Sequence, residues 1–228
     1  MSTDRPRSSA PAAPAATPPS AALTATPTSA TPAPQDLGGV QSGRLTVLAG
    51  PTAVGKGTIA AYVRTHFPHV WFSVSMTTRR PRPGEVDGVH YHFVDDQEFD
   101  RLVAAGEFLE HAVVHGAAKY GTPRGPVERV LREGRDALLE IDLQGARQVR
   151  ETWPDALFVF LAPPSWDELV RRLVGRGTED HGERERRLAT AREELAAQTE
   201  FDEVIVNDDV RRASEELVSL MRSGRAGR

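Results

Sequence analysis

From Arg44 onward the chain alternates short, continuous apolar runs with longer segments whose apolar residues recur every three or four positions. "RLTVLAG" (44–50) is apolar, partly β-branched and ends in glycine, which predicts a strand. "GTIAAYVRTHF" (57–67) lines Ile59, Val63 and Phe67 along one helical face. "VWFSVS" (70–75) predicts a second strand, and "YHFVD" (91–95) and "GEFLEHAVVHG" (106–116) two more. Between them, "TTRRPRPGEVDGVH" (77–90) holds Pro81, Pro83, Gly84 and Gly88 and predicts a loop. "DDQEFDRLVAAG" (95–106) predicts a helix opened by an Asp cap. Further on come a helix at 126–134 ended by Gly134, a strand at 136–143, a helix at 144–153 and an apolar strand at 155–164 stopped by two prolines. "SWDELVRRLVGRG" (165–177) predicts a helix with Ser165 as cap and Glu168 completing a capping box. A long charged helix (182–201), a last strand "DEVIVNDD" (202–209) and a closing helix (214–223) follow.

Strands and helices alternate at both ends of this order. That predicts an α/β fold of right-handed βαβ crossovers, with a parallel sheet covered on both faces. Residues 76–125 are instead rich in strands and turns, which predicts a small mixed lobe inserted into the parallel domain; no internal repeat is present. The first 42 residues are a different material. "SSAPAAPAATPPSAALTATPTSATPAP" has almost no large apolar side chain to offset the entropy of ordering, so residues 1–42 are expected to be a disordered, proline-extended tail, with the folded domain over 43–224. A secretory signal fits poorly, because prolines interrupt every candidate apolar core.

Composition narrows the function further. The balance of 28 Lys+Arg against 32 Asp+Glu gives no reason to expect nucleic-acid binding. No cysteine is present, which removes disulfides, thiolate metal sites and cysteine nucleophiles, and agrees with a cytoplasmic, reducing setting. No apolar run is long enough to cross a bilayer, so no membrane partner is expected, and no obligate protein partner is evident in the sequence.

The strongest chemical signal is "GPTAVGKGT" (50–58), a glycine-rich loop between a strand and a helix. Gly50 and Gly55 let the backbone through Pro51, Thr52, Ala53 and Val54 curl so that its N–H groups point inward at an anion, and the helix N-terminus adds its positive end. Lys56 supplies a point charge for the outer phosphates of a nucleoside triphosphate. Gly57 stands where a hydroxyl is expected; Thr58 follows and can serve a magnesium shell directly or through water. Such a loop names a donor and leaves the acceptor open. A second anion pocket is suggested by Arg79, Arg80 and Arg82 among prolines, with Tyr91 after them; the alternative is an ordinary solvated basic loop. Glu110 in a strand and "YGTP" (120–123) at a turn add a carboxylate and hydroxyls. A carboxylate can accept both the N1–H and the amine of guanine, whereas adenine would face it with a lone pair. Asn207 and Asp208, at the end of the last parallel strand, are candidates for contact with the adenine of ATP, or form a plain turn.

Seven stretches in order carry a resemblance: "GPTAVGKGT", "SVSMTTRRPRPGEVDGVHYHF", "EFLEH", "YGTP", "EIDLQGA", "RLVGRGT" and "IVNDD". Together, from about Arg44 to Met221, they resemble the guanylate kinase family, and the tract from 138 to 173 is similar to actinobacterial members. The resemblance implies a P-loop nucleoside monophosphate kinase fold that converts ATP and GMP to ADP and GDP with magnesium. It implies a core (43–75, 126–175 and 193–224), a GMP-binding lobe (76–125) and a lid (176–192). It further implies that Ser75, Arg79, Arg82 and Tyr91 belong to the GMP-binding loop, that Arg79, Arg82 and Tyr91 hold the GMP phosphate with Tyr120 joining them, and that Glu110 and Thr122 contact guanine. Asp142 would face guanine or the magnesium region, and Glu140 the metal shell, where many relatives carry Asp. The stretch "HGAAKYG" is expected to loop out by one residue. In the lid, Arg176 and Arg187 are the pair expected to reach the transferring phosphate; taken alone, this charged segment could equally be a solvated helical hairpin. Other readings remain: the same fold with another monophosphate or a sugar phosphate as acceptor, a module that binds phosphopeptides without catalysis, or a regulatory P-loop NTPase.

Overall fold

Strand β1 (Leu45–Ala49) is buried along its whole length and is the central strand of a parallel sheet. It pairs in parallel with β7 (Ala137–Glu140) on one side and β8 (Leu157–Ala162) on the other. Adding β2 (Trp71–Phe72) and β9 (Glu203–Val206) completes an all-parallel sheet in the order β2-β7-β1-β8-β9. The computed structural model describes residues 43–114, 118–174 and 181–223. The expectations for the 1–42 tail, for the loop at 115–117, for Arg176 and for the turn through 180 lie outside these residues.

The expected parallel sheet with two covered faces is what the chain builds. On one face Leu45, Val47 and Ala49 meet Val127, Val130 and Leu131 of α3 (Arg124–Arg132) and Val149 of α4 (Leu143–Thr152). On the other, Leu48 meets Ile59 and Val63 of α1 (Lys56–His66) and Leu217, Val218 and Met221 of α7 (Val210–Ser223). The two-residue alternation of β1 is therefore shared between two apolar layers, which is why the strand reads as a continuous apolar run.

A second sheet, in the order β4-β3-β6-β5, is built from β3 (Met76–Thr77), β4 (His92–Phe93), β5 (Phe108–Val114) and β6 (Ala118–Pro123). Helix α2 (Asp96–Ala104) precedes β5 and is capped as expected, Asp95 accepting from the Glu98 N–H at 2.8 Å. The remaining helices are α5 (Trp166–Val174) and α6 (His181–Ala196), the latter followed by a 3-10 turn at Ala197–Glu200.

Several boundaries differ from the sequence expectation, each for a physical reason. The run 70–75 is not one strand: Ser73 N–H makes the last bond to the parallel sheet, at Leu138, and the chain then crosses to the second sheet at Met76. "YGTP" is not a turn but part of β6, antiparallel to β5. Gly121 fits the strand because the Phe108 ring lies where its Cβ would be, only 2.8 Å away, so the missing side chain makes room for a cross-strand aromatic. The strand expected to run to 143 stops at Glu140, because Asp142 turns its carboxylate onto the Gly145 N–H, at 2.7 Å, and caps α4. Ser165 caps α5 by accepting from the Glu168 N–H, but the Glu168 carboxylate pairs with Arg171 and Arg172 instead of closing the capping box. The closing helix starts four residues earlier than expected, at Val210.

Candidate active site

The loop after β1 is held open by backbone conformations that side chains rarely adopt. Gly50 has φ 153° and Gly55 φ 103°; a Cβ on Gly50 would sit 2.4 Å from the Leu161 carbonyl, and one on Gly55 2.6 Å from Asn207 Nδ2. Ala53 also has positive φ, 66°, a strained position of the kind that marks binding loops. Gly55 is the N-cap of α1 and has no side chain to cap it, so the helix start presents its positive end to the loop. Lys56 folds over this loop, donating from Nζ to the carbonyls of Gly50 at 2.7 Å and Pro51 at 3.2 Å. Burial pushes its pKa below the ordinary lysine value, while the charges of Glu194, Glu140 and Asp142 act against that fall.

Beside the loop lies an open cleft lined by Ala53, Gly55, Thr58, Arg172, Asn207 and Asp208. Thr58 faces it from the first turn of α1 and is exposed. Asn207 is 3 % exposed, and its Nδ2 donates to the Val54 carbonyl at 2.8 Å, so its amide braces the loop. Asp208 pairs with Arg212 of α7. The same Val54 carbonyl accepts from Arg172 Nη1 at 3.1 Å, and Arg172 Nε is held by Glu168. Across the loop, Gly57 faces Glu140: a Cβ there would stand 3.6 Å from Glu140 Oε1, in ordinary contact. Glu140 ends β7 beside Leu48, and burial raises its pKa against the opposing charges of Lys56 and Arg64.

The second sheet gathers a different set of groups. Arg79 donates from Nε to the Tyr120 hydroxyl at 3.1 Å and from Nη2 to Glu85 at 2.8 Å, with its guanidinium 5.5 Å from the Tyr91 ring centre. Tyr91 and Tyr120 meet edge to face at 5.8 Å. Glu85 also accepts from the Arg82 N–H at 2.7 Å, so one carboxylate fastens both ends of the arginine loop. The hydrogen bonds from Arg79 and the Arg82 backbone hold Glu85 down at about 2. Ser75 enters this edge through its carbonyl, which accepts from His92 N–H.

Glu110 and Thr122 are directly opposite on β5 and β6. They are 7 % and 0 % exposed, and the Thr122 hydroxyl donates to Glu110 Oε1 at 2.6 Å. Burial lifts the Glu110 pKa to about 7; the hydroxyl bond pulls it down and the Asp142 charge pushes it further up. The other oxygen lies against α4, where a Cβ on Gly145 would approach within 3.0 Å of it. Asp142, the α4 cap, acts electrostatically on both Glu110 and Lys56. Among the described residues no group of three metal-ligating side chains occurs.

A family model described as guanylate kinase matches residues 42–224. The chain belongs to the guanylate kinase family. It is 65 % identical over 177 residues to a guanylate kinase of Leifsonia xyli subsp. xyli, covering 78 % of this chain and 70 % of that one. With a guanylate kinase of Streptomyces coelicolor it shares 58 % identity over 198 residues, 87 % of this chain and 98 % of the relative. The crystal structure of guanylate kinase from Anaplasma phagocytophilum superposes with a TM-score of 0.65 at 35 % identity, over 81 % and 87 % of the two chains. That likeness bears out the expected α/β kinase fold.

Within this guanylate kinase fold, two groups that touch the candidate site have no signal in the sequence. Arg172 pairs through Nε with Glu168 of its own helix, while its Nη1 reaches the Val54 carbonyl of the loop. Glu85 was one acid in a loop of prolines and glycines; only the folded turn brings it back onto Arg79. Arg187 is half-buried on α6, and Arg176 lies outside the described residues.

Proposed function

We propose that the chain transfers the γ-phosphoryl group of ATP to GMP, giving ADP and GDP, in a magnesium-dependent reaction of cytoplasmic purine nucleotide metabolism. The observation that carries this proposal is a lysine-bearing phosphate loop combined with a buried, hydroxyl-bonded carboxylate, Glu110, in the second sheet. A carboxylate this well buried is costly unless a ligand supplies donors, and guanine supplies two, N1–H and the amine.

In this proposal the loop 50–58 wraps the ATP phosphates through backbone amides other than that of Thr52, which Glu194 already accepts, with Lys56 on the outer phosphates. Arg172 and Asn207 brace the loop from the cleft, and Asp208 lies beside the adenine end. Arg79, Arg82, Tyr91 and Tyr120 hold the GMP phosphate, with Ser75 in the same binding loop and Glu85 paired to Arg79. Glu110 and Thr122 read the guanine edge, and Asp142 supports them from α4. An oxygen of the GMP phosphate attacks the γ-phosphorus, the bond to the β–γ bridging oxygen breaks, and ADP leaves with that electron pair. The GMP phosphate is largely ionised at neutral pH and serves as nucleophile without a general base. Arg187, with Arg176, meets the charge that spreads over the transferred oxygens, and the lid that carries them keeps water out.

The residues present fit a magnesium ion. Magnesium bound through nucleotide phosphates keeps most of its waters and needs only one or two protein oxygens. Glu140, opposite Gly57, and Thr58, in the first turn of α1, supply the hard oxygen groups for this. When bound, it neutralises phosphate charge. Among the described helices none is long and apolar enough to cross a membrane.

The test is ADP formation from ATP and magnesium with GMP, AMP, CMP and UMP offered separately. Rapid turnover with GMP alone is expected. Equal turnover with another monophosphate would remove the base-reading role of Glu110, and GMP binding without turnover would favour a binding module.

A further inference from the structure

Helix α6 reaches the phosphate loop at a residue to which no role has been given. Glu194 Oε2 accepts from the backbone N–H of Thr52, the third residue of the loop, at 2.9 Å. The next residue, Ala53, packs on the apolar cluster formed by Leu169 and Leu173 of α5 with Leu188 and Ala191 of α6. Two consecutive loop residues are thus fastened to the α5–α6 pair, one by a charged hydrogen bond and one by packing. Among the charges acting on Lys56, that of Glu194 is the largest.

Glu194 lies seven residues after Arg187 in the same helix. Seven residues are nearly two full turns, so both side chains leave the same face, about 10 Å apart along the axis. A carboxylate beside a triphosphate loop costs electrostatic energy unless it does something a neutral residue would not. Its partner is a main-chain amide of the loop, not a surface lysine. We propose that Glu194 is a positioning residue for phosphoryl transfer: by holding the Thr52 N–H it fixes the root of α6 on the phosphate loop, and so sets where Arg187 stands relative to the transferred group. This rests on the function proposed above. A phosphate loop that moves on filling would carry the helix with it, and the arginine would follow the nucleotide.

The test compares Glu194→Ala with Glu194→Gln in the full-length chain, since the amide keeps an oxygen for the Thr52 N–H. Loss of one charged hydrogen bond at this point should lower kcat about tenfold in Glu194→Ala, with the KM for GMP changed less than about twofold. Glu194→Gln should retain most of kcat. In an Arg187→Ala background the Glu194→Ala change should cost less than about twofold more, because its effect passes through that arginine. Additive losses, or a Gln variant as impaired as Ala, would overturn the proposal. Hydrogen exchange at the Thr52 amide is read in parallel and does not depend on activity. Faster exchange in Glu194→Ala is expected, and unchanged exchange overturns the tie even if the parent chain proves not to be a GMP kinase.

Discussion

The two halves of the candidate site are built by opposite means. The phosphate loop is nine consecutive residues whose main chain does the work: glycines at positive φ, a helix start without a side-chain cap, and one lysine folded across. The Glu110 pocket is made of side chains from β5 and β6 with the start of α4 closed against them at Gly145, none adjacent in sequence. A main-chain site recognises phosphate whatever nucleoside carries it, because amides face only the anion. A side-chain site of buried polar groups discriminates, because a wrong base strands a carboxylate. Catalytic power and base choice should therefore be separable by mutation.

The largest expected effect is on the first half. Lys56→Ala should lower kcat by roughly 10²–10³, the usual consequence of removing one group aimed at developing phosphate charge. GMP affinity measured by calorimetry should hold within a few-fold; an equal loss in both would merge the two halves into one unit. Next comes stability in the second half. Glu110 holds its proton up to about pH 7 in the fold, against an ordinary value near 4.5. Stabilisation from that bound proton is complete below about 4.5 and fades as pH rises through 7, a span worth about 3 kcal/mol. Glu110→Gln removes the titration. Urea unfolding without ligand should show the variant gaining on the parent between pH 5 and 8, and parallel pH profiles would contradict the buried, proton-holding carboxylate. The smallest effect belongs to the seam between the halves: Asp142→Ala removes the α4 cap and should cost about 1 kcal/mol of stability by the same unfolding assay. No loss would mean that the cap bond contributes nothing.

The same contrast explains how much was legible in the sequence. The phosphate loop was readable because its strand, its glycines and its helix are contiguous, and local patterns report local geometry. The parallel sheet followed from the alternation of apolar runs with helical segments. The second sheet was harder. Gly121 and Pro123 look like turn residues in isolation, yet Phe108 fills the space above Gly121 and makes "YGTP" a strand. Asp142 looked like the end of a strand because its flanks are apolar, while its carboxylate competes for the Gly145 amide and starts a helix. Neither the Glu85 clamp on Arg79 nor the Arg172 contact with Val54 leaves a periodic trace, since each depends on a loop folding back or on residues 118 apart in the chain. Base choice was suggested by Glu110 and the hydroxyls of "YGTP" and made specific by the family resemblance; only the fold shows that Thr122 and Glu110 share a buried bond.

The central claim is that the ionised carboxylate of Glu110 selects guanine. It is tested most directly by measuring GMP affinity by calorimetry from pH 6 to pH 8.5 for the parent and for Glu110→Gln. The phosphate group of GMP also titrates near pH 6, and taking the ratio of the two proteins cancels it. The ratio should rise with pH in favour of the parent, by up to about tenfold per unit below pH 7, and level off above it. A ratio that stays flat, or a Gln variant that still prefers GMP over AMP as strongly as the parent, would contradict the claim.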